Sequence, residues 1–110
     1  FGKTLSQFQL MQALYADMYT ARQSSLSYAR SLLSPNAFSQ LSPVDAASVY
    51  LFCSEQCLEA TNNTIQALGG MGYMHESLAG QYHHDAKLFT IGGGTSEIKR
   101  WLIGRSLLRD

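Results

Sequence analysis

The sequence has no surplus of either charge: eight lysines and arginines balance eight aspartates and glutamates, with an isoelectric point near 7. A neutral chain exerts no long-range pull on a polyanion, which disfavours nucleic acid and anionic membrane as principal partners. No run approaches the roughly 18 to 20 apolar residues of a membrane span, and the opening lacks the basic-then-apolar order of a secretory leader. A soluble intracellular protein is the expectation. Cysteine is scarce: Cys53 and Cys57 stand four positions apart within a helical pattern, matching neither a spaced zinc quartet nor a disulfide framework. They read as packed free thiols of a reducing compartment. No strand pattern occurs anywhere, and the chain opens on Phe1-Gly2-Lys3 rather than on Met. Residues 1–110 therefore read as one domain taken from a longer polypeptide, whose function belongs to the parent.

What is present is helical periodicity, with 45% apolar residues. From Leu5, the positions Met11, Leu14, Met18, Ala21, Ser25, Tyr28 and Leu32 alternate steps of three and four, the stripe of a helix packed in a bundle. Pro35 ends that helix, and Asn36 to Leu41 read as a loop. Ser42-Pro43-Val44-Asp45 combines a capping hydroxyl, a first-turn proline and an acid three residues on, so a second helix starts there. Its stripe of Val44, Ala47, Leu51, Ser54, Leu58, Thr61, Ile65 and Leu68 is joined by a second face of Val49, Cys53, Ala60 and Ala67. Two such faces predict a helix inside the bundle. Gly69-Gly70 end it, and Met71 to Ser77 read as a turn. A shorter helix is predicted over Glu76 to Phe89 with Leu78, Tyr82 and Ala86 inward. The last, from about Thr95 to Leu108, is predicted to turn Ile98, Trp101, Leu102 and Leu108 inward and Lys99, Arg100 and Arg109 outward. The fold class is all-α, four-helix-bundle-like, two helices long and two short.

The stretch around which the chain is organised runs from Asp85 to Arg100: a charged helix end, the turn Gly92-Gly93-Gly94 and the start of a last helix at Thr95-Ser96-Glu97. Three glycines let the backbone take positive φ and approach a ligand closely, and Thr95 or Ser96 can cap the helix whose free N–H groups suit an anion. A plain connector between helices is the competing reading. His75, Glu76, His83, His84 and Asp85 suggest a metal site, yet His83 and His84 point about 100° apart and no His-x-x-x-His pair occurs. No metal site is expected. Gly69-Gly70-Met71-Gly72-Tyr73 mimics a dinucleotide fingerprint but follows a helix rather than a strand. Gln9, Asn62, Asn63 and Gln66 read as buried in the helical stripes among apolar neighbours, and a buried amide needs a polar ligand or another subunit as partner.

Gln66-Ala67-Leu68-Gly69-Gly70-Met71-Gly72-Tyr73, then Asp85-Ala86-Lys87, then the Ile91–Ile98 stretch, together with Phe1-Gly2-Lys3 followed by Phe8-Gln9, resemble the C-terminal helical domain of the acyl-CoA dehydrogenases in one register. The glycine-rich turn is similar to that of the isovaleryl-CoA dehydrogenase type. The resemblance implies an FAD enzyme that removes a proton from the α-carbon and a hydride from the β-carbon of an acyl-CoA substrate. Electrons would pass to an electron-transfer flavoprotein, within a homodimer or homotetramer. It also implies a bacterial cytoplasm or mitochondrial matrix. By resemblance, Phe1, Leu5, Phe8 and Gln9 match positions lining the neighbouring subunit's FAD. Gln66, Gly69 and Gly70 match the turn against its ADP portion, and Thr95 and Glu97 match positions beside the subunit's own FAD.

Two departures stand out. The family's frequent catalytic base is a glutamate directly before Gly-Thr, where this chain has Gly93, and His84 replaces the arginine usual before Asp-Ala. Isovaleryl-type and long-chain-type members carry the glutamate on a preceding helix, so no catalytic residue is expected within these 110 residues, and the segment alone is expected to be inactive. With that bundle helix absent, the stripe of Met11, Leu14, Met18 and Leu51 is expected to be partly exposed and to drive self-association. The alternatives are a non-catalytic acyl-CoA dehydrogenase-like subunit or a helical oligomerisation module without flavin.

Overall fold

The computed structural model describes residues 2–108; Phe1 and Arg109 lie outside them. A 3-10 turn at Leu5–Gln7 precedes α1 (Gln9–Leu33), then come α2 (Pro35–Phe38), α3 (Pro43–Leu68), α4 (Gly70–Tyr73), α5 (Leu78–Phe89) and α6 (Ser96–Leu107). The described residues form two long and two short helices, as expected, plus two single-turn helices in segments expected to be loops. One is α2, which starts at Pro35 because proline suits a first helical turn.

The long helix α3 is the axis. Ser42 caps it, its Oγ accepting from the Asp45 N–H at 3.1 Å while donating to the Asp45 carboxylate at 2.6 Å. It packs against α1 on one side and against α4, α5 and α6 on the other, so its two small-residue faces are both used. Helix α1 runs antiparallel to it. Tyr28 meets Phe52 edge-on at 5.8 Å, Cys53 Sγ donates to the Ser25 carbonyl at 3.6 Å, and Thr64 Oγ1 reaches the Met18 sulfur at 3.2 Å. Helices α5 and α6 follow one another along the opposite side of α3. Thr61 faces His83 near one end of the row, and Pro43 and Val44 face Leu102 and Arg105 near the other.

The stripe Met11, Leu14, Met18 and Leu51 is half-buried, and so partly exposed as expected. The more exposed apolar residues of α1 are Leu10, Tyr15, Tyr19 and Leu33. The short helices are rotated from their expected phase. In α5, Ala86 is buried as expected, but Leu78 and Tyr82 face solvent and Ala79 is buried in their place, because an alanine ridge lets α5 lie close on α3. In α6, Ile98, Trp101, Leu102 and Leu108 are exposed, whereas Lys99 is only 5% exposed.

Candidate functional site

Helix α5 ends at Phe89, and the chain must reverse its hydrogen bonding before α6 begins. Thr90, Ile91 and Gly92 donate back to Lys87 and Leu88 carbonyls, and the Ser96 N–H closes the turn on the Thr90 carbonyl at 2.9 Å. Gly93 and Gly94 take φ of 63° and 87°, conformations that cost a residue with a β-carbon about 1 to 2 kcal/mol. Thr95, not Ser96, caps α6, its Oγ1 accepting from the Ile98 N–H at 3.3 Å.

The turn forms one wall of a groove of about 360 Å³, with Glu55, Leu58 and Glu59 of α3 opposite and Lys87, Thr90, Ile91, Thr95, Ser96 and Glu97 beside them. Three features make it suit a polar ligand. The first-turn N–H groups of α6 supply partial positive charge. The Glu97 carboxyl is held below its ordinary range by its own backbone N–H and then by the Thr95 hydroxyl. Ser96 Oγ is buried, and among the described residues it has no hydrogen-bond partner. A buried hydroxyl left alone forfeits a hydrogen bond, so a ligand oxygen here would complete it. The resemblance indicated Thr95 and Glu97, while the sequence offered Ser96 only as an alternative cap; its burial follows from the turn's closure on Thr90.

The remaining residues with a match in the resemblance lie elsewhere. The antiparallel register of α1 and α3 brings the Leu5–Gln9 region to the end of α3 where Gln66, Gly69 and Gly70 lie. From the groove at Glu55 to Gln66 is roughly 16 Å along α3, at about 1.5 Å per residue. At that end Leu5, Gln9, Gln66, Gly69 and Gly70 are exposed, Phe8 is half-buried, and nothing stands within 4 Å of a β-carbon built on Gly69 or Gly70. The amides were expected to be buried; Gln9, Asn62 and Gln66 are instead exposed and Asn63 half-buried, because α1 and α3 meet on their small and apolar residues.

The other candidates resolve simply. Among the described residues no three His, Cys, Asp or Glu side chains converge as a metal would need. His83 turns toward Thr61, its Nδ1 3.3 Å from Oγ1, while His84 lines a separate surface groove with Tyr73, His75 and Asp85. Cys53 is half-buried and burial raises its thiol pKa, whereas Cys57 is exposed rather than packed, since it lies beyond the stripe that α1 covers. Gly93 lies at the turn's apex, with the Tyr50 hydroxyl 3.8 Å from where its β-carbon would be.

Comparison with known proteins agrees with this geometry. The family model described as acyl-CoA dehydrogenase, C-terminal domain, matches residues 1–108. The mitochondrial isovaleryl-CoA dehydrogenase of Oryza sativa is 43% identical over the whole chain, and that of Bos taurus is 37% identical. The chain spans about a quarter of such relatives, 27% and 26% of their length. Among solved structures, butyryl-CoA dehydrogenase from Megasphaera elsdenii superposes with a TM-score of 0.91 at 29% identity, over 99% of this chain and 28% of that one. A structure described as the electron transferring flavoprotein of Acidaminococcus fermentans gives 0.91 at 31% identity, over 100% and 29%. With sequence, helix order and glycine turn in agreement over essentially its whole length, the chain belongs to the acyl-CoA dehydrogenase family, as its C-terminal domain.

Proposed function

We propose that these residues are the C-terminal part of an FAD-dependent acyl-CoA dehydrogenase that introduces an α,β double bond into an acyl-CoA thioester. The observation that carries this is the groove at the start of α6, where a buried Ser96 hydroxyl without a partner among the described residues lies beside Thr95, Glu97 and the glycine turn. With Glu55, Glu59 and Glu97 against Lys87 alone among its described lining residues, the groove suits neutral hydrogen-bonding groups of a flavin nucleotide rather than its phosphates. Thr95, Ser96 and Glu97 would hold the subunit's own FAD. Leu5, Phe8, Gln9, Gln66, Gly69 and Gly70 would contact a neighbouring subunit's FAD, which their exposure roughly 16 Å away along α3 favours. Phe1 belongs to the same proposal but lies outside the described residues.

When bound, FAD supplies the acceptor for the hydride leaving the β-carbon. The α-proton needs a base, and Gly93 offers none, so the base is a glutamate on a segment preceding residue 1. In this reading the turn binds and orients, and the upstream carboxylate takes the proton. An electron-transfer flavoprotein is the partner for reoxidation, and the compartment is a mitochondrial matrix or a bacterial cytoplasm. Relatives described as mitochondrial and a relative from Bacillus subtilis, 42% identical over 99% of this chain, support either compartment.

The test is the visible spectrum of the purified full-length parent and its anaerobic bleaching by a short branched acyl-CoA. A flavin spectrum that bleaches is expected. A flavin that no acyl-CoA bleaches would favour a non-catalytic relative, and a colourless protein that takes up no added FAD would leave only a helical association module.

A further inference from the structure

Lys99 is the one charged side chain among the buried residues described, and its position inverts the expectation that it faces solvent. Its ammonium donates to the Gly92 carbonyl at 3.3 Å and to the Gly94 carbonyl, and it lies 4.2 Å from the centre of the Tyr50 ring. The Tyr50 hydroxyl donates to the same Gly92 carbonyl at 3.4 Å. The glycine turn is thus folded around an internal cation. A planar trans peptide points its carbonyl and the following N–H in opposite directions, and no peptide here is cis. Drawing the Gly92 and Gly94 carbonyls inward therefore turns the N–H groups of Gly93 and Thr95 outward. Among the described residues neither N–H has an acceptor.

We infer that Lys99 is a positioning residue for the cofactor site: by holding two carbonyls of the turn, it fixes the positive-φ conformation of Gly93 and Gly94 and presents outward-facing donors next to Ser96. This rests on the proposed flavin site for its ligand, but its conformational part stands by itself. Without the ammonium, the Gly94 carbonyl loses its donor and the Gly92 carbonyl keeps only the long bond from the Tyr50 hydroxyl, leaving the Ser96 N–H on the Thr90 carbonyl as the main closure of the turn.

The experiment uses the full-length parent with Lys99→Met, which keeps length and apolar volume without the charge, and Lys99→Ala, in which added ethylammonium can refill the space. Hydrogen exchange read by mass spectrometry should speed up roughly tenfold in the peptide spanning Gly92 to Ser96, with α1 and α3 unchanged. Titration of apoprotein should show the Kd for FAD rising roughly tenfold, with ethylammonium recovering part of the loss in Lys99→Ala. A lower melting temperature with unchanged turn exchange and unchanged FAD affinity would overturn the inference, leaving Lys99 a packing residue only. If Lys99→Met does not fold, unchanged turn exchange and FAD affinity in Lys99→Ala, with or without ethylammonium, would overturn it equally. If the unaltered parent binds no FAD, the flavin reading fails, while the exchange comparison still decides whether Lys99 shapes the turn.

Discussion

At the scale of single residues, the glycine turn carries the sharpest consequences. Gly93→Glu, which would place a carboxylate at the apex of the turn, forces a β-carbon onto a φ of 63°. It should lower unfolding stability by about 1 to 2 kcal/mol. Gly104→Ala, in the interior of α6 with nothing within 4 Å of the new carbon, should raise it by about 0.5 to 1 kcal/mol. Urea titrations of both variants check the contrast, and equal effects would contradict the described turn. Glu97 gives a pH signature. Its folded-state pKa lies below the ordinary 4.5, so its contribution to stability is complete above that value and fades as the pH falls through the lower, folded one. Melting temperatures of the protein and of Glu97→Gln should therefore differ at neutral pH and converge in acid; a constant difference would remove the carboxylate's role. At this scale the sequence revealed the cap and the acid, since Thr, Ser and Glu around a helix start have fixed uses. It did not reveal Lys99, because a lysine's partners here are backbone carbonyls, and nothing in the residue types shows which way a carbonyl points.

At the scale of elements, α3 organises the rest, and its ends are the points to perturb. Ser42→Ala removes the acceptor for the Asp45 N–H and should cost about 1 kcal/mol in chemical denaturation. Gly72 is a different kind of constraint: a β-carbon there would come within 2.6 Å of the Ile65 carbonyl oxygen, which is backbone and cannot rotate away. Gly72→Ala should destabilise by about 1 to 3 kcal/mol and loosen the junction of α3 and α4, seen as faster exchange at Gly69 to Tyr73. No loss on either readout would mean that the close approach is absent. The phases of α1 and α3 were legible because each repeats its pattern over several turns against one partner. Those of α5 and α6 were not. Short helices supported on one side leave Leu78, Tyr82, Ile98 and Trp101 exposed, so apolar character no longer marks the buried face.

At the scale of the whole molecule, the packing is too thin for a self-sufficient unit. The buried hydrophobic residues described are all alanines, and the radius of gyration is 17.1 Å over a body 61 Å long, against about 13 Å expected for a globular domain of this length. Exposed Leu10, Tyr15, Tyr19, Met71, Tyr73 and Trp101 give it several apolar surfaces, so residues 1–110 alone should associate as concentration rises in sedimentation velocity. A monomer throughout would count against that. The same geometry divides the proposed cofactor contacts between a groove at mid-molecule and one end of α3, so a single copy cannot enclose a flavin by itself. The most direct measurement is therefore a paired one: FAD titrated into the full-length parent and into residues 1–110, followed by flavin fluorescence and equilibrium dialysis. Tight, stoichiometric binding by the parent and no sub-micromolar binding by the segment are expected. A parent that leaves FAD free in solution, or a segment that binds it as tightly as the parent, would contradict the proposed division of the cofactor site.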